Sequence, residues 1–175
     1  MAILVTGGAG YIGTQLVLAL LDAREEVIVV DTLSNGVQTD ALSGAHVFEG
    51  DISDAALLSE LFERFQIECV AHLAARTSVE ESTREPYQYY FENACKSLNL
   101  YGYLARHGVE HLIFSSTAAV YGNTGAGSID EDAPLDPASP YGASKQMAER
   151  FLGDIFSKYK SRFVVLRYFN VAGAD

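Results

Sequence analysis

The chain has 175 residues, 49% hydrophobic and 20% charged, enough to bury a sizeable core in a single domain spanning 1–175. Its formal net charge of -11 argues against a nucleic-acid partner or an anionic membrane surface, because both reward positive charge. One phosphate ligand held by backbone N–H groups stays open. No apolar run approaches the roughly 20 residues of a membrane span, and no basic leader precedes the first apolar run, so a soluble cytoplasmic protein is expected. Cys69 and Cys95 read as buried thiols rather than a disulfide or metal site. His46, His72, His107 and His111 show no metal-ligand spacing, and no metal is expected.

The first apolar run, "AILVT" (2–6), leads directly into "TGGAGYIG" (6–13) and a helical pattern over 11–23. Gly8, Gly10 and Gly13 fit G-x-G-x-x-G; Gly7, Gly10 and Gly13 fit a second spacing of the same kind. A buried strand before the glycines and an apolar helix after them is the context in which such a loop holds a pyrophosphate. The N–H groups near Gly10, Tyr11 and Ile12 would face the phosphates from a helix N-terminus. A second run, "EVIVVD" (26–31), ends at Asp31, 18 residues past Gly13. A carboxylate there can accept both ribose hydroxyls of an adenosine and repels a 2′-phosphate, so NAD is favoured over NADP. The alternative is a strand-end turn residue. The stretch 36–44 is too short and polar to assign.

The third run, "AHVFEG" (45–50), is followed by "GDIS" (50–53), where Asp51 either meets an adenine edge or caps a helix over 54–65. A fourth run, "ECVAHLA" (68–74), precedes a long helical pattern over 86–107. The fifth, "HLIFSS" (111–116), opens a connection of unusual length over 117–140, longer than the roughly 12–15 residues usual for a loop without function. Its acidic centre, 130–132, reads as a solvated face. The connection ends in "SPYGASK" (139–145), with Ser139 as N-cap and Pro140 as first helical residue of a helix over 141–160. Tyr141 and Lys145 lie one turn apart on that helix; they are either a helix start or a pair sharing a proton. The last run is "RFVVLRYFN" (162–170). Runs rich in Val, Ile and Phe without polar alternation predict strands buried on both faces. Alternating with helices, they predict an α/β fold with a doubly wound parallel sheet of Rossmann type.

Together "TGGAGYIG", Asp31, "GDIS", "HLAA" (72–75), "FSSTAAVYG" (114–122) and "YGASK" (141–145) resemble the extended short-chain dehydrogenase/reductase family, across essentially the whole chain. Within it the sequence looks most like the UDP-sugar 4-epimerases. "DTLSNG" (31–36) resembles their adenosine-ribose loop and "RYFNVAGA" (167–174) their segment beside nicotinamide and sugar. The resemblance implies NAD as cofactor, a UDP-hexose as substrate, and reversible oxidation at sugar C4. It implies Thr117, Tyr141 and Lys145 as catalytic residues. Cofactor contacts are implied for Gly7, Gly10, Tyr11, Ile12, Asp31, Thr32, Leu33, Ser34, Asn35, Gly36, Asp51 and Ile52. They are also implied for Leu73, Ala74, Ala75, Thr77, Asn93, Ser115, Tyr141, Lys145 and Phe169. Substrate contacts are implied for Thr117, Tyr141 and Asn170, and a homodimer through the helices near 86–107 and 141–160.

The sequence departs from the family pattern in places. Thr117 stands where many epimerases have Ser, Glu92 and Lys96 replace an Asn and a Gly, and Thr77 stands where a Lys is frequent. Ala118 and Ala119 occupy positions where the related dehydratases carry acids, which disfavours elimination of water. Family epimerases are about twice this length, so the C-terminal substrate domain is expected to be absent. The final "VAGAD" carries no terminal helix signal. Weak or no turnover is therefore expected of the chain alone. A binding module that holds NAD(H) without turnover, or another sugar-nucleotide dehydratase or reductase, is the alternative.

Overall fold

The apolar runs pair side by side, all in one direction, and build a six-stranded parallel sheet in the order β3-β2-β1-β4-β5-β6. The strands are β1 (Ala2–Thr6), β2 (Glu26–Asp31), β3 (His46–Glu49), β4 (Ile67–His72), β5 (His111–Thr117) and β6 (Arg162–Tyr168). This computed structural model describes residues 1–34, 39–125, 127–159 and 161–173; Asn35 and Gly36 of the expected ribose loop lie outside them. Helix α1 (Tyr11–Asp22) and a 3-10 turn (Thr39–Leu42) cover one face over β1 and β2. Helix α2 (Ala55–Arg64) covers the other, with the helices named below.

Strand residues alternate between the two layers even though nearly all are apolar. Leu4, Ile28 and Val30 face the larger core and Val5, Val27 and Val29 the smaller. This two-sided burial is why the strand sequences lack polar alternation.

Beyond β4 the chain departs from the expected single helix over 86–107. A short helix, α3 (Val79–Arg84), comes first. It is six residues long and half of them are charged, with no apolar period to betray it. Helix α4 (Pro86–Tyr89) then passes through a π turn (Tyr90–Cys95) into α5 (Lys96–Arg106). The π turn inserts an extra residue into the helical register. It leaves Asn93 buried and Cys95 exposed, which corrects the expectation that both cysteines are buried. A second correction concerns Asp51. The cap of α2 is Asp54, whose carboxylate accepts from Ala56 N at 2.9 Å and Leu57 N at 3.2 Å.

Helix α6 (Pro140–Tyr159) begins as its sequence predicts, with the Ser139 hydroxyl accepting from Gly142 N at 3.2 Å. A Cβ on Gly142 would lie 2.5 Å from the carbonyl oxygen of Ala119. The first turn of α6 therefore rests directly on the 3-10 turn Ala118–Tyr121 that follows β5. At the centre of the sheet, His72 is fully buried. Its ring bridges the Thr6 hydroxyl of β1 at 2.7 Å and the Ser97 hydroxyl of α5 at 2.9 Å. Burial, with help from the charge of Lys145, drives His72 from 6.5 down to about 3.

Two outcomes follow. His72 stays neutral in the fold, so its contribution is fully present above about pH 6.5 and is lost as pH falls toward 3, on the order of a few kcal/mol. Urea midpoints measured across that window should fall on acidification, and His72→Gln should flatten the slope; an unchanged slope contradicts the buried, neutral ring. Gly142→Ala should destabilise by about 1–2 kcal/mol, because the clash with the Ala119 carbonyl outweighs the helix preference for alanine. A wild-type denaturation midpoint for this variant would contradict the close packing.

Candidate active site

The loop after β1 is built for close approach. A Cβ on Gly13 would sit 2.2 Å from the Gly7 carbonyl oxygen, so the helix can start there only with glycine. A Cβ on Gly10 would meet nothing nearer than the Gly7 carbonyl oxygen at 3.3 Å. It is the N-cap of α1, and no side chain caps that end. The first intrahelical bond is Thr14 N to Gly10 O at 2.8 Å. The N–H groups of Tyr11 and Ile12, which the helix itself cannot satisfy, are left for an external acceptor.

Asp31 ends β2 beside this loop. Its Oδ2 accepts from Ala9 N at 3.0 Å and its Oδ1 from Leu33 N at 2.9 Å, with Leu33 at φ 53°. Asp31 therefore shapes its own turn, as the strand-end reading expects, and ties that turn to the glycine loop. Thr32 and Ser34 are exposed on that turn, their hydroxyls 3.0 Å apart. Ile52 is buried in the core. Asp51, at the carboxyl end of β3, is held by Lys96 Nζ at 2.5 Å, and Lys96 also pairs with Glu92 at 2.6 Å. Burial pushes the Asp51 carboxyl up, but Lys96 and Ser53 outweigh it and hold the group below its ordinary value. The two departures at 92 and 96 are thus one i,i+4 ion pair that reaches across to Asp51, a link sequence reading missed.

Leu73, Ala74 and Ala75 leave β4 opposite the glycine loop, with Leu73 N bonded to Thr6 O at 3.0 Å. Asn93 braces this segment: its Oδ1 accepts from Arg76 N at 2.8 Å, and its Nδ2 donates to Arg76 O at 3.0 Å and Ser144 Oγ at 3.2 Å. Both amide hydrogens are committed, so its position in the π turn orients the loop. Thr77 is exposed beyond it.

Thr117, Tyr141 and Lys145 come together where β5 ends and α6 begins, all nearly or fully buried. The Thr117 hydroxyl oxygen accepts from Ala119 N at 3.1 Å, leaving its proton free to donate. Burial pushes the Tyr141 phenol up, and the neighbouring Thr117 hydroxyl pulls it partly back. Lys145 Nζ donates to the Ser115 carbonyl at 2.8 Å and lies 4.8 Å from the centre of the Phe114 ring. Burial lowers Lys145 from 10.5 to about 7, against the opposing carboxylate of Glu149. Tyr141 and Lys145 are neighbours without a direct hydrogen bond between their side chains among the described residues. On the other face of the sheet, between α1 and strands β4 to β6, lies a cleft of about 300 Å³, lined by Ile12, Leu16, Leu73, Ile113, Ser115 and Tyr168. Phe169 and Asn170 follow the last strand and are exposed, Phe169 by 70%.

Comparison with known proteins bears on this arrangement. The model of the NAD dependent epimerase/dehydratase family matches residues 3–175. A UDP-glucose 4-epimerase of Azospirillum brasilense is 45% identical over 173 residues, covering 99% of this chain and 50% of that protein. The crystal structure of UDP-glucose 4-epimerase from Brucella ovis in complex with NAD superposes with a TM-score of 0.93 at 36% identity, covering 99% of this chain and 53% of that one. That of the Thermotoga maritima enzyme with UDP-glucose gives 0.92 at 39% identity, covering 99% and 57%. The chain spans about half the length of the relatives it matches. With its glycine loop, its strand-end acid and its helix-borne tyrosine and lysine on one sheet edge, the chain belongs to the NAD-dependent epimerase/dehydratase family.

Proposed function

We propose that the chain binds NAD across the carboxyl edge of its sheet and carries the redox half-site of a UDP-hexose 4-epimerase, interconverting UDP-glucose and UDP-galactose through a 4-keto sugar. The observation that carries this reading is the convergence of Thr117, Tyr141 and Lys145 beside the uncapped N-terminus of α1 at one edge of the sheet. Tyr11 and Ile12 would hold the pyrophosphate, Asp31 the adenosine ribose, and Asp51, fixed by Lys96, the adenine edge. Bound NAD would supply the hydride acceptor. Tyr141 removes the proton of the C4 hydroxyl and later returns it. Thr117 donates to the C4 oxygen and aims it. Lys145 supplies a cation one turn from the phenol, favouring the phenolate.

Ala118 and Ala119, directly after Thr117, offer no acid to expel water, which favours epimerisation over dehydration. The second reading, an NAD(H)-binding module without turnover, is favoured by one observation: Phe169 and Asn170 stand exposed with no opposing surface among the described residues. The same helices that carry the site, α4–α5 and α6, expose Tyr87, Phe91, Leu98 and Met147, and we propose that two copies pair through them.

Titration of the folded chain with NAD should give saturable binding, weakened about tenfold or more in Asp31→Ala; a folded chain that binds no NAD overturns the cofactor reading. Product analysis with UDP-glucose should show weak epimerisation, reduced by roughly 10²-fold or more in Tyr141→Phe with NAD affinity little changed. NAD binding with no conversion at all leaves the module reading in its place.

A further inference from the structure

Beneath the Tyr141–Lys145 pair lies a second set of charges that the proposed chemistry leaves unused. Glu149 follows Lys145 by one turn of α6, and its side chain is only 9% exposed. Arg167 of β6 clamps its carboxylate, Nε to Oε1 at 3.1 Å and Nη2 to Oε2 at 2.8 Å. The Ser116 hydroxyl donates to the same carboxylate. The remaining nitrogen of Arg167, Nη1, donates to the Tyr121 phenol oxygen at 2.7 Å and to the Glu131 carbonyl at 3.1 Å. One ion pair thus joins α6, the end of β5, β6, the 3-10 turn and the loop after it.

The register makes this contact specific to the site. Ser116 pairs with Arg167 across β5 and β6. On β5, Ser115 offers its carbonyl to Lys145 and the next residue, Ser116, offers its hydroxyl to Glu149. Two successive residues of one strand therefore dock two successive turns of one helix. Among the described residues no carboxylate is bonded to Lys145; around it are Glu149 on α6, Ser115 and Phe114 on β5, and neutral His72 on β4, with Tyr141 one turn before it on α6. Facing Glu149 are Arg167 on β6, Ser116 on β5, Lys145 on α6, and Tyr101 on α5, whose phenol the carboxylate helps to push up.

We propose that Glu149 is a positioning residue that keeps the Lys145 ammonium charged and in place beside Tyr141, with Arg167 and Ser116 fixing where the carboxylate sits. The functional meaning rests on the NAD-dependent reading above; the electrostatic claim does not. Burial removes an ammonium's hydration and favours its neutral form, and a carboxylate one turn away opposes that. A neutral Lys145 would give the phenol no cation at all. The Arg167 fork meets both carboxylate oxygens at once, which fixes direction as well as charge.

The chain has four lysines, Lys96, Lys145, Lys158 and Lys160, so ¹³Cε-lysine NMR resolves them, and Lys145→Met assigns the Lys145 signal. Titrated on the ligand-free full chain, Glu149→Gln should lower the Lys145 midpoint by about one pH unit, a tenfold change in its protonation equilibrium. Glu149→Asp, which keeps the charge, should restore at least half of that shift. Where Glu149→Gln fails to fold, the paired replacement Glu149→Met with Arg167→Met removes the carboxylate without stranding the guanidinium, and the midpoint should fall by less, because the more distant positive charge leaves with the nearer negative one. A midpoint that stays at its wild-type value in folded variants overturns the proposal and leaves the ion pair as a stitch between strands. Since no NAD is present, a failure of NAD binding and a failure of this proposal show up in separate measurements.

Discussion

Parallel strand direction is the constraint on which the whole site depends. Every strand pair in the sheet runs parallel, so all carboxyl ends meet on one edge. Crossovers are right-handed, and they carry β2 and β3 to one side of β1 and β4, β5 and β6 to the other. The loops leaving β1 and β4 therefore diverge beyond Gly7, which itself packs directly on Leu73 and Ala74. Asp31 and Asp51 end the strands on one side of this divergence, and Thr117 ends a strand on the other. Residues more than a hundred positions apart reach one edge with no contact needed to bring them there.

Within that frame the energetics divide by exposure. Solvated pairs such as Arg64–Glu60 and Arg150–Asp154 contribute about 0–1 kcal/mol each and can be lost without consequence for the site. Arg167–Glu149 and the Lys96 cluster are part-buried, and stripping one partner from such a pair costs on the order of 3–5 kcal/mol by leaving a charge unmatched. Lys145 is the exception among the buried cations, because only a carbonyl and an aromatic face touch its ammonium. Its charge is set by neighbours it does not bond. A group in that position responds to any change in local charge.

Apolar runs marked all six strands; they are buried on both faces in the central β1 and β2, whereas β3 and β6, at the sheet edges, bury no residue fully and correct the expectation of two-sided burial there. The glycine loop, Asp31 and the Ser139–Pro140 helix start were legible because each rests on a local rule of backbone geometry. What stayed hidden was non-local or too short to be periodic. Helix α3 is six residues of mostly polar character, and the π turn at Tyr90–Cys95 leaves no compositional mark. The Lys96–Asp51 contact spans 45 residues and Arg167–Glu149 spans 18; no pattern announces them. One faint signal existed for the latter: Arg167 interrupts an apolar strand and Glu149 lies one turn past Lys145. A lone charge in a buried run needs a partner, and the partner has to come from the helix packed on that face.

The same alternation along β5 and β6 has a further physical consequence. Phe114, Ser116, Val165 and Arg167 turn toward α6 and its core. Ile113 and Val164 turn to the opposite side, paired in register, and are 40% and 53% exposed. Helix α1 and the turn at 39–42 screen that side over β1 and β2 but do not reach these strands. A parallel strand with apolar residues on both faces is suited to burial on both. Here one half of the face stays open beside the cleft at Ser115 and Tyr168, next to exposed Phe169 and Asn170. Water therefore reaches Ile113 and Val164, while Thr117 and Tyr141 stay buried. The register thus divides each strand: Phe114, which faces α6, is 1% exposed, while Ile113, one position away on the other face, is 40% exposed.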